Sequence, residues 1–154
     1  MAATIYGPSF RQASTCEPIL RALPQWFGIE AVIVQYTREI DTLPTFVAEV
    51  DGRPMGFLAL KRHTPSAAEI YVMGVRPETR RQGLGRALVG QAETYLRAER
   101  VEYLQVKTLG PSHPDLNYAQ TRAFYTALGF RPLEEFRQIW NEQNPCLLMV
   151  KHYG

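Results

Sequence analysis

The chain has 154 residues, 45% of them hydrophobic, and a formal net charge of +2 at pH 7. This length suits a single domain, 1–154, that buries one core without disulfides. The small net charge argues against a nucleic-acid surface, and the strand-length apolar runs argue against a membrane span or signal peptide. Cys16 and Cys146 have no metal-type spacing, so we expect free thiols in a reducing cytoplasm and no metal site.

The first elements are a short strand and two helices. A strand at Thr4–Tyr6 ends before Gly7 and Pro8, and Ser14–Glu17 has the pattern of a capping box that would begin a helix. This helix stops before Pro24. A second amphipathic helix follows, because apolar residues repeat at helical spacing: Ile29, Val32, Ile33, Tyr36 and Ile40.

The middle of the chain alternates between strands and a helix. Thr45–Val50 and Met55–Leu60 flank an Asp-Gly pair, which predicts a β-hairpin. The strand Glu69–Val75, the helix Leu84–Glu99 and the strand Tyr103–Leu109 then form a crossover, whose two strands should be parallel.

The last third contains a helix and two strands. A Pro-rich loop leads to a helix at Tyr118–Leu128, and the strands Arg131–Ile139 and Cys146–Lys151 end the chain. Trp140 and Asn141 are expected in the connection between these strands. The order β-α-α-β-β-β-α-β-α-β-β predicts a mixed α/β sheet with helices on both faces.

The segment Arg80–Arg86 carries the clearest functional signal. It joins an apolar strand to a helix through Gly83 and Gly85, with three arginines nearby. A helix N-terminus has backbone N–H groups without partners and a partial positive charge, and glycine lets an anion approach closely. The segment therefore predicts a phosphate cradle, although a plain strand-to-helix turn is the alternative.

Two familiar phosphate-binding motifs fit poorly. A P-loop needs Gly-Lys-Ser/Thr, which the chain lacks. A dinucleotide-binding fingerprint needs a third small residue where Leu88 stands, and an acidic residue that the strand Tyr103–Leu109 does not provide.

The pattern Arg80-x-x-Gly83-x-Gly85 after a strand resembles the pyrophosphate-binding motif of the GNAT superfamily of acyl-CoA-dependent N-acetyltransferases. The segment 123–132, with Tyr125 before Leu-Gly-Phe, resembles a second signature of that superfamily. The strand around Glu69 resembles the one that carries the catalytic glutamate in its histone acetyltransferase branch. The three signatures follow each other in the superfamily's order, and the resemblance extends over about 45–151.

The resemblance implies a GNAT-like fold, with a mostly antiparallel mixed sheet that contains one parallel strand pair. It also implies transfer of an acetyl group from acetyl-CoA to a primary amine of a small molecule or peptide, by direct attack in a ternary complex. A non-catalytic acyl-CoA sensor or partner-binding module is the main alternative. A dinucleotide-binding protein is a weaker one, because of the missing acidic residue.

The resemblance also assigns residues to the cosubstrate. The pantetheine arm would bond to the backbone of a strand, and the pyrophosphate would lie on the following loop. Asn117 or Tyr118 would contact the pantetheine, since relatives often have asparagine at the position of Tyr118. The expected cosubstrate-binding residues are Met73, Gly74, Val75, Arg80, Arg81, Gln82, Gly83, Leu84, Gly85, Arg86, Asn117 and Tyr118. Gly74 inside a strand also suits a bulge or a close ligand approach, and the alternative is a buried strand with one small residue.

Two residues are candidates for proton transfer. Glu69 would accept the proton of the amine, directly or through water, and Tyr125 would return a proton to the departing sulfur. Each has an ordinary structural alternative. Glu69 would otherwise be a solvated carboxylate, and Tyr125 a helix tyrosine packed on the sheet.

Aromatic residues lie in the two segments that wall the acceptor site in the superfamily. Trp26 and Phe27 separate the first two helices, and Trp140 follows the penultimate strand. They would enclose an apolar or cationic amine, or else cover edges of the core. Histidines 63, 113 and 152 show no ligand spacing and receive no role. A monomer and a homodimer both remain open.

Overall fold

The computed structural model describes residues 3–154. The element order agrees with the prediction, with one added 3₁₀ turn at Pro77–Thr79. The strands and helices are β1 (Ala3–Ser9), α1 (Ala13–Arg21), α2 (Glu30–Ile40), β2 (Thr45–Val50), β3 (Arg53–Arg62), β4 (Ala67–Val75), α3 (Leu84–Ala98), β5 (Tyr103–Leu109), α4 (Leu116–Ala127), β6 (Arg131–Asn141) and β7 (Asn144–His152). Across the described residues, no helix is long and apolar enough to cross a membrane.

Seven strands form one hydrogen-bonded sheet in the order β1-β2-β3-β4-β5-β7-β6. β4 and β5 pair in parallel, with Glu69 opposite Gln105, whereas β1–β2, β2–β3, β5–β7 and β6–β7 pair antiparallel. The predicted crossover and the predicted mixed sheet with one parallel pair are therefore confirmed. That the whole chain acts as one domain stays a prediction.

The chain groups into two compact units. The first contains the described part of Met1–Lys61 together with Tyr71–Glu99, and the second contains Arg62–Ile70 together with Arg100–Gly154. The first unit therefore carries β1–β3, the end of β4 and helices α1–α3. The second carries the start of β4, the remaining strands and α4.

The β2–β3 hairpin is confirmed, and its turn shows why Asp-Gly is the right pair there. Asp51 and Gly52 both have positive φ, 52° and 76°. Two successive left-handed residues are the geometry of a type I′ turn, which matches the twist of the adjoining strands. Asp and Gly tolerate that conformation better than most residues.

Within the first unit, helices pack on both faces of the sheet. A Cβ built on Gly74 would lie 2.9 Å from Cδ1 of Leu23 in α1. A Cβ built on Gly56 would lie 3.2 Å from Cδ1 of Leu88 in α3 and 3.3 Å from Cγ2 of Val75. Because successive strand residues point to opposite faces, Gly74 faces α1 while Val75 faces α3. In this unit the sheet therefore lies between α1 on one face and α3 on the other.

The start of α1 differs from the predicted capping box. The helix begins at Ala13, and its N-cap residue Gln12 makes no side-chain capping bond. Instead, the Ala13 N–H donates to Oδ1 of Asp41, at 2.9 Å. The capping-box prediction from Ser14 is wrong because an acceptor far along the chain satisfies the helix end.

The β6–β7 connection is shorter than predicted. β6 continues through Trp140 to Asn141, and β7 begins at Asn144. Oδ1 of Asn141 accepts from the N–H groups of Gln143 and Asn144, which closes a tight turn. Trp140 is therefore a strand residue rather than a loop residue, because the Asn141 side chain allows the strands to run on to a two-residue turn.

Candidate active site

The predicted phosphate cradle lies between β4 and α3 in the first unit. Gly83 is the N-cap residue of α3, with φ 80° and ψ 12°, and no side chain caps this helix. The first turn of α3 also holds no acidic residue. The first backbone N–H groups of a helix lack intrahelical acceptors and carry partial positive charge. This end of α3 is therefore suited to bind an anion.

The space beside Gly83 is open. A Cβ built on this glycine would meet no atom within 4 Å. Gln82 and Leu84, with Ala3 and Val50, line an adjoining depression of about 390 Å³. The glycine is required by its left-handed backbone and not by crowding, so the free space beside the amides is available to a ligand.

The arginines of the cradle do not share one environment. The guanidinium of Arg80 lies over the Trp26 ring, 4.7 Å from its centroid. Arg81 and Arg86 are exposed, and Arg81 has a positive φ of 66° although it is not glycine. In the first unit, the contact of Arg80 with Trp26 thus connects the predicted cofactor loop to a predicted acceptor residue.

Gly74 has a packing reason for being glycine. A Cβ on Gly74 would lie 2.9 Å from Cδ1 of Leu23, so that side chain would have to shift, whereas Phe57 and Ile19 would be in ordinary contact with it. The expectation that Gly74 serves a bulge or a close ligand approach is not needed to explain the residue. Backbone bonding by Met73, Gly74 and Val75 to a pantetheine arm stays a prediction.

Glu69 lies on β4 in the second unit, and its side chain is only 5% exposed. Its Oε1 lies 2.7 Å from Nε2 of His63 and 3.5 Å from Nζ of Lys107. The alternative interpretation of Glu69 as a solvated carboxylate is wrong, because the group is buried and paired. Burial of a carboxylate is tolerated when cations and hydrogen bonds surround it.

His63 and Lys107 are partners that the sequence analysis missed. His63 stands in the turn from β3 to β4, where its N–H donates to the carbonyl of Ala67 at 3.0 Å. Lys107 lies two residues beyond Gln105, the residue of β5 that pairs with Glu69. Alternation along β5 therefore points Lys107 to the face of Glu69. Lys107 was missed because the sequence does not give the register in which β4 and β5 pair.

Cys146 shares the electrostatic environment of this carboxylate. Burial raises the pKa of the Cys146 thiol to about 11, Lys107 opposes the shift and Glu69 adds to it. A thiol that keeps its proton at neutral pH is a poor nucleophile. The cysteine therefore contributes no reactive group here. No cluster of metal-binding side chains occurs among residues 3–154.

Tyr125 lies on α4 in the second unit and is 5% exposed. Its ring packs edge-on against Phe124 and Phe130, at centroid distances of 5.2 and 5.5 Å. Burial, with a smaller contribution from Tyr118, raises the pKa of Tyr125 above its ordinary value. The phenol therefore stays protonated and can donate a hydrogen bond, and its ring also fulfils the packing role.

Asn117 and Tyr118 both belong to the first turn of α4, which begins two residues earlier than predicted. Oδ1 of Asp115 accepts from the N–H groups of both residues and caps the helix. Burial and then Asp115 raise the pKa of Tyr118. Contact of Asn117 or Tyr118 with the pantetheine stays a prediction.

Phe27, a predicted acceptor residue of the first unit, belongs to an aromatic cluster. Phe27 packs edge-on against Tyr36 at 5.8 Å, and Tyr36 against Tyr71 at 5.5 Å. The ammonium of Lys61 lies over the Tyr71 ring at 5.3 Å. In the second unit, Trp140 is 44% exposed. These rings therefore combine core packing with accessible aromatic surface.

Comparison with known proteins identifies the family. The family model described as "Acetyltransferase (GNAT) family" matches residues 11–130. The chain belongs to the GNAT family of acetyltransferases. This membership confirms the resemblance inferred from the three motifs, and the matched range includes the cradle, Glu69 and Tyr125.

Proteins of similar sequence are also named acetyltransferases. An uncharacterized N-acetyltransferase of Chlorobaculum tepidum is 29% identical over 117 residues, which cover 74% of this chain and 65% of that protein. A mycothiol acetyltransferase of Beutenbergia cavernae is 36% identical over 83 residues, 54% of this chain and 26% of that protein. The chain thus spans less than two thirds of the length of these relatives.

Solved structures confirm the GNAT fold. A GNAT-family protein of Desulfovibrio desulfuricans has a TM-score of 0.84 at 17% identity, covering 98% of this chain and 99% of that one. The PaiA N-acetyltransferase of Thermoplasma acidophilum, solved with coenzyme A, has a TM-score of 0.76 at 18% identity. That match covers 99% of this chain and 100% of the other.

Proposed function

We propose that this protein transfers the acetyl group of acetyl-CoA to a primary amine of a small molecule or peptide, within a ternary complex. The observation that carries the proposal is the uncapped N-terminus of α3, where left-handed Gly83 leaves open space beside the first amides. The GNAT family membership supports acetyl-CoA as the donor, as does the coenzyme A bound in a structural neighbour.

The residues of the cradle would hold the pyrophosphate of acetyl-CoA through backbone N–H groups and arginine charge. The backbone of Met73–Val75 would hold the pantetheine arm, with Asn117 or Tyr118 at the first turn of α4. Acetyl-CoA supplies an acyl group activated as a thioester. Binding and orientation of that group are therefore the tasks of the chain itself.

Glu69 and Tyr125 would divide the proton transfers. An amine of ordinary basicity is mostly protonated at neutral pH, so a carboxylate must take its proton before attack. The phenol of Tyr125, held protonated by burial, would donate a hydrogen bond and then its proton to the departing sulfur. Because a raised pKa makes the phenol a weaker acid, its hydrogen bond to the sulfur would contribute more to catalysis than the transfer of its proton.

The proposed acceptor-binding residues are Trp26 and Phe27 in the first unit and Trp140 in the second. The names of two similar proteins, mycothiol acetyltransferase and ribosomal-protein-S18-alanine N-acetyltransferase, support keeping both a small molecule and a peptide as candidate acceptors. We keep both classes, and we propose a cytoplasmic enzyme whose association into homodimers is to be measured.

The first test is a binding and turnover screen with the purified chain. Coenzyme A should raise the melting temperature clearly more than NAD or ATP at equal concentration, since only coenzyme A fits the cradle and strand together. Incubation with acetyl-CoA and a panel of alkylamines, polyamines and short peptides should release free thiol. Coenzyme A binding without thiol release on any amine would favour the sensor alternative, and a larger shift with NAD would contradict the proposal.

A second test separates the proton-transfer roles. Tyr125→Phe keeps the ring contacts with Phe124 and Phe130, so the protein should fold and bind coenzyme A normally while kcat falls. Glu69→Gln should lower kcat/KM by roughly 10²–10⁴. The exposed Tyr103→Phe on β5 is the matched control and should retain parental turnover. Parental rates in both active-site variants would contradict the assignment.

A further inference from the structure

Glu69 is nearly closed off from water, yet its hydrogen-bond partner is not. The Glu69 side chain is 5% exposed, whereas the His63 side chain that contacts it is 33% exposed. The Nε2–Oε1 distance of 2.7 Å is a short hydrogen bond. The imidazole ring therefore stands between the buried carboxylate and the protein surface.

The groups beside Glu69 differ in whether they could take a proton from its carboxylate. The Lys107 ammonium lies 3.5 Å from Oε1 of Glu69, so a positive charge stands beside the carboxylate. On β7, the Cys146 thiol keeps its own proton, because burial raises its pKa to about 11. Imidazole is the side chain whose ordinary pKa lies near neutrality. Of the groups beside Glu69, the imidazole is thus the suitable acceptor.

We propose that His63 is a proton relay between Glu69 and solvent, an inference that rests on the proposed acetyl transfer. The ammonium form of the acceptor loses one proton to the Glu69 carboxylate and becomes the neutral nucleophile. Glu69 passes that proton to Nε2 of His63 in its Nδ1–H tautomer, and the resulting imidazolium releases its Nδ1 proton to water. This leaves Glu69 ionised and His63 as the Nε2–H tautomer, and proton exchange of the partly exposed ring with water restores the Nδ1–H tautomer for the next cycle.

The backbone supports this role with a fixed geometry. The N–H groups of His63 and Thr64 both donate to the carbonyl of Ala67, and the Ala67 N–H donates to Oγ1 of Thr64 at 3.0 Å. These bonds do not involve the imidazole ring. Substitution of the ring should therefore leave the turn folded and remove the relay alone.

The closing experiment compares His63→Ala with His152→Ala. His152 is exposed and stacks on Tyr103 at 4.9 Å, so its loss controls for removal of a surface imidazole. With acetyl-CoA and the fastest amine of the screen, His63→Ala should lose on the order of 10²-fold in kcat/KM. Added millimolar imidazole should restore much of that loss, because the vacated position is open to solvent. His152→Ala should match the parent with and without imidazole.

A matched amine pair provides the second readout. Ethylamine is mostly protonated at neutral pH, whereas 2,2,2-trifluoroethylamine is mostly not, because fluorine withdraws electrons. His63→Ala should slow ethylamine turnover more than trifluoroethylamine turnover. Parental kinetics in His63→Ala, or an equal loss on both amines without imidazole rescue, would overturn the relay. Absence of thiol release by the parent chain on every amine would instead overturn the proposed acetyl transfer.

Discussion

At the scale of single residues, Gly83 combines two features that no other residue type provides together. Its φ of 80° lies in the left-handed region, and the volume where a side chain would stand is empty. An L-residue pays on the order of 1–2 kcal/mol for that conformation. A side chain would in addition occupy the space that we assign to phosphate.

Gly83→Val should therefore lower coenzyme A affinity at least about tenfold and cost roughly 1 kcal/mol of folding free energy. Gly90→Ala is the matched control in the same helix, because Gly90 is exposed and a Cβ there meets nothing within 4 Å. The control should keep coenzyme A affinity and gain up to about 1 kcal/mol in stability. Calorimetric titration and urea unfolding measure both quantities. Unchanged affinity in a folded Gly83→Val variant would exclude this loop as the cradle.

At the scale of elements, a hydrogen bond to the residue that ends α2 holds the start of α1. Asp41 is the C-cap residue of α2, and its Oδ1 accepts from Ala13 at 2.9 Å. Its own carbonyl accepts from the N–H of Arg11 at 3.1 Å. Asp41 thereby holds the start of α1 against the end of α2.

Asp41→Ala should cost about 1 kcal/mol in the free energy of unfolding, the usual effect of losing a capping acceptor. Asp41→Asn keeps an oxygen acceptor and should lose much less. Ser14→Ala, at the position that sequence pattern assigns to the cap, should be nearly neutral because Ser14 is exposed and inside the helix. Chemical denaturation measures all three. A larger loss in Ser14→Ala than in Asp41→Ala would contradict the described helix start.

At the scale of the whole molecule, buried thiols and a buried phenol make stability depend on alkaline pH. Burial raises the pKa of Cys16 to about 12 and of Cys146 to about 11, both from 9.0, and also raises that of Tyr125 from 10.0. In the unfolded chain these groups lose their protons at lower pH than in the folded one. Their contribution is therefore complete below about pH 9 and is lost as pH rises through the folded pKa values.

The urea midpoint should accordingly fall steadily from pH 9 towards pH 11, although the fold is intact at neutral pH. Cys16→Ala removes one of the shifted groups, so its stability should start lower at pH 7, owing to the lost sulfur contacts, and decline less steeply. Comparison of the two slopes measures the contribution of the thiol. A parental midpoint that stays flat across this range would show that the thiols are not shielded as described.

The sequence by itself determined the element order, the Asp51-Gly52 hairpin, the β4–α3–β5 crossover and the family motifs. Each depends on signals within a few residues: apolar periodicity, a residue that tolerates positive φ, or a glycine at a helix start. Such signals depend only on neighbouring residues, so they can be recognised without knowledge of the tertiary structure. The positions of Gly83 and Tyr125 on their elements could be predicted for the same reason.

Only the tertiary structure decided what surrounds those elements. Lys107 faces Glu69 because β4 and β5 pair in a particular parallel register, and Asp41 caps α1 because α2 returns to it. His63 reaches Glu69 through a tight turn, and the Leu23 side chain crowds the place where a Cβ on Gly74 would stand. These partners are distant in sequence or set by side-chain packing, so no local pattern encodes them. Pairing register and burial, which are properties of the folded chain, make Glu69 a buried, paired carboxylate.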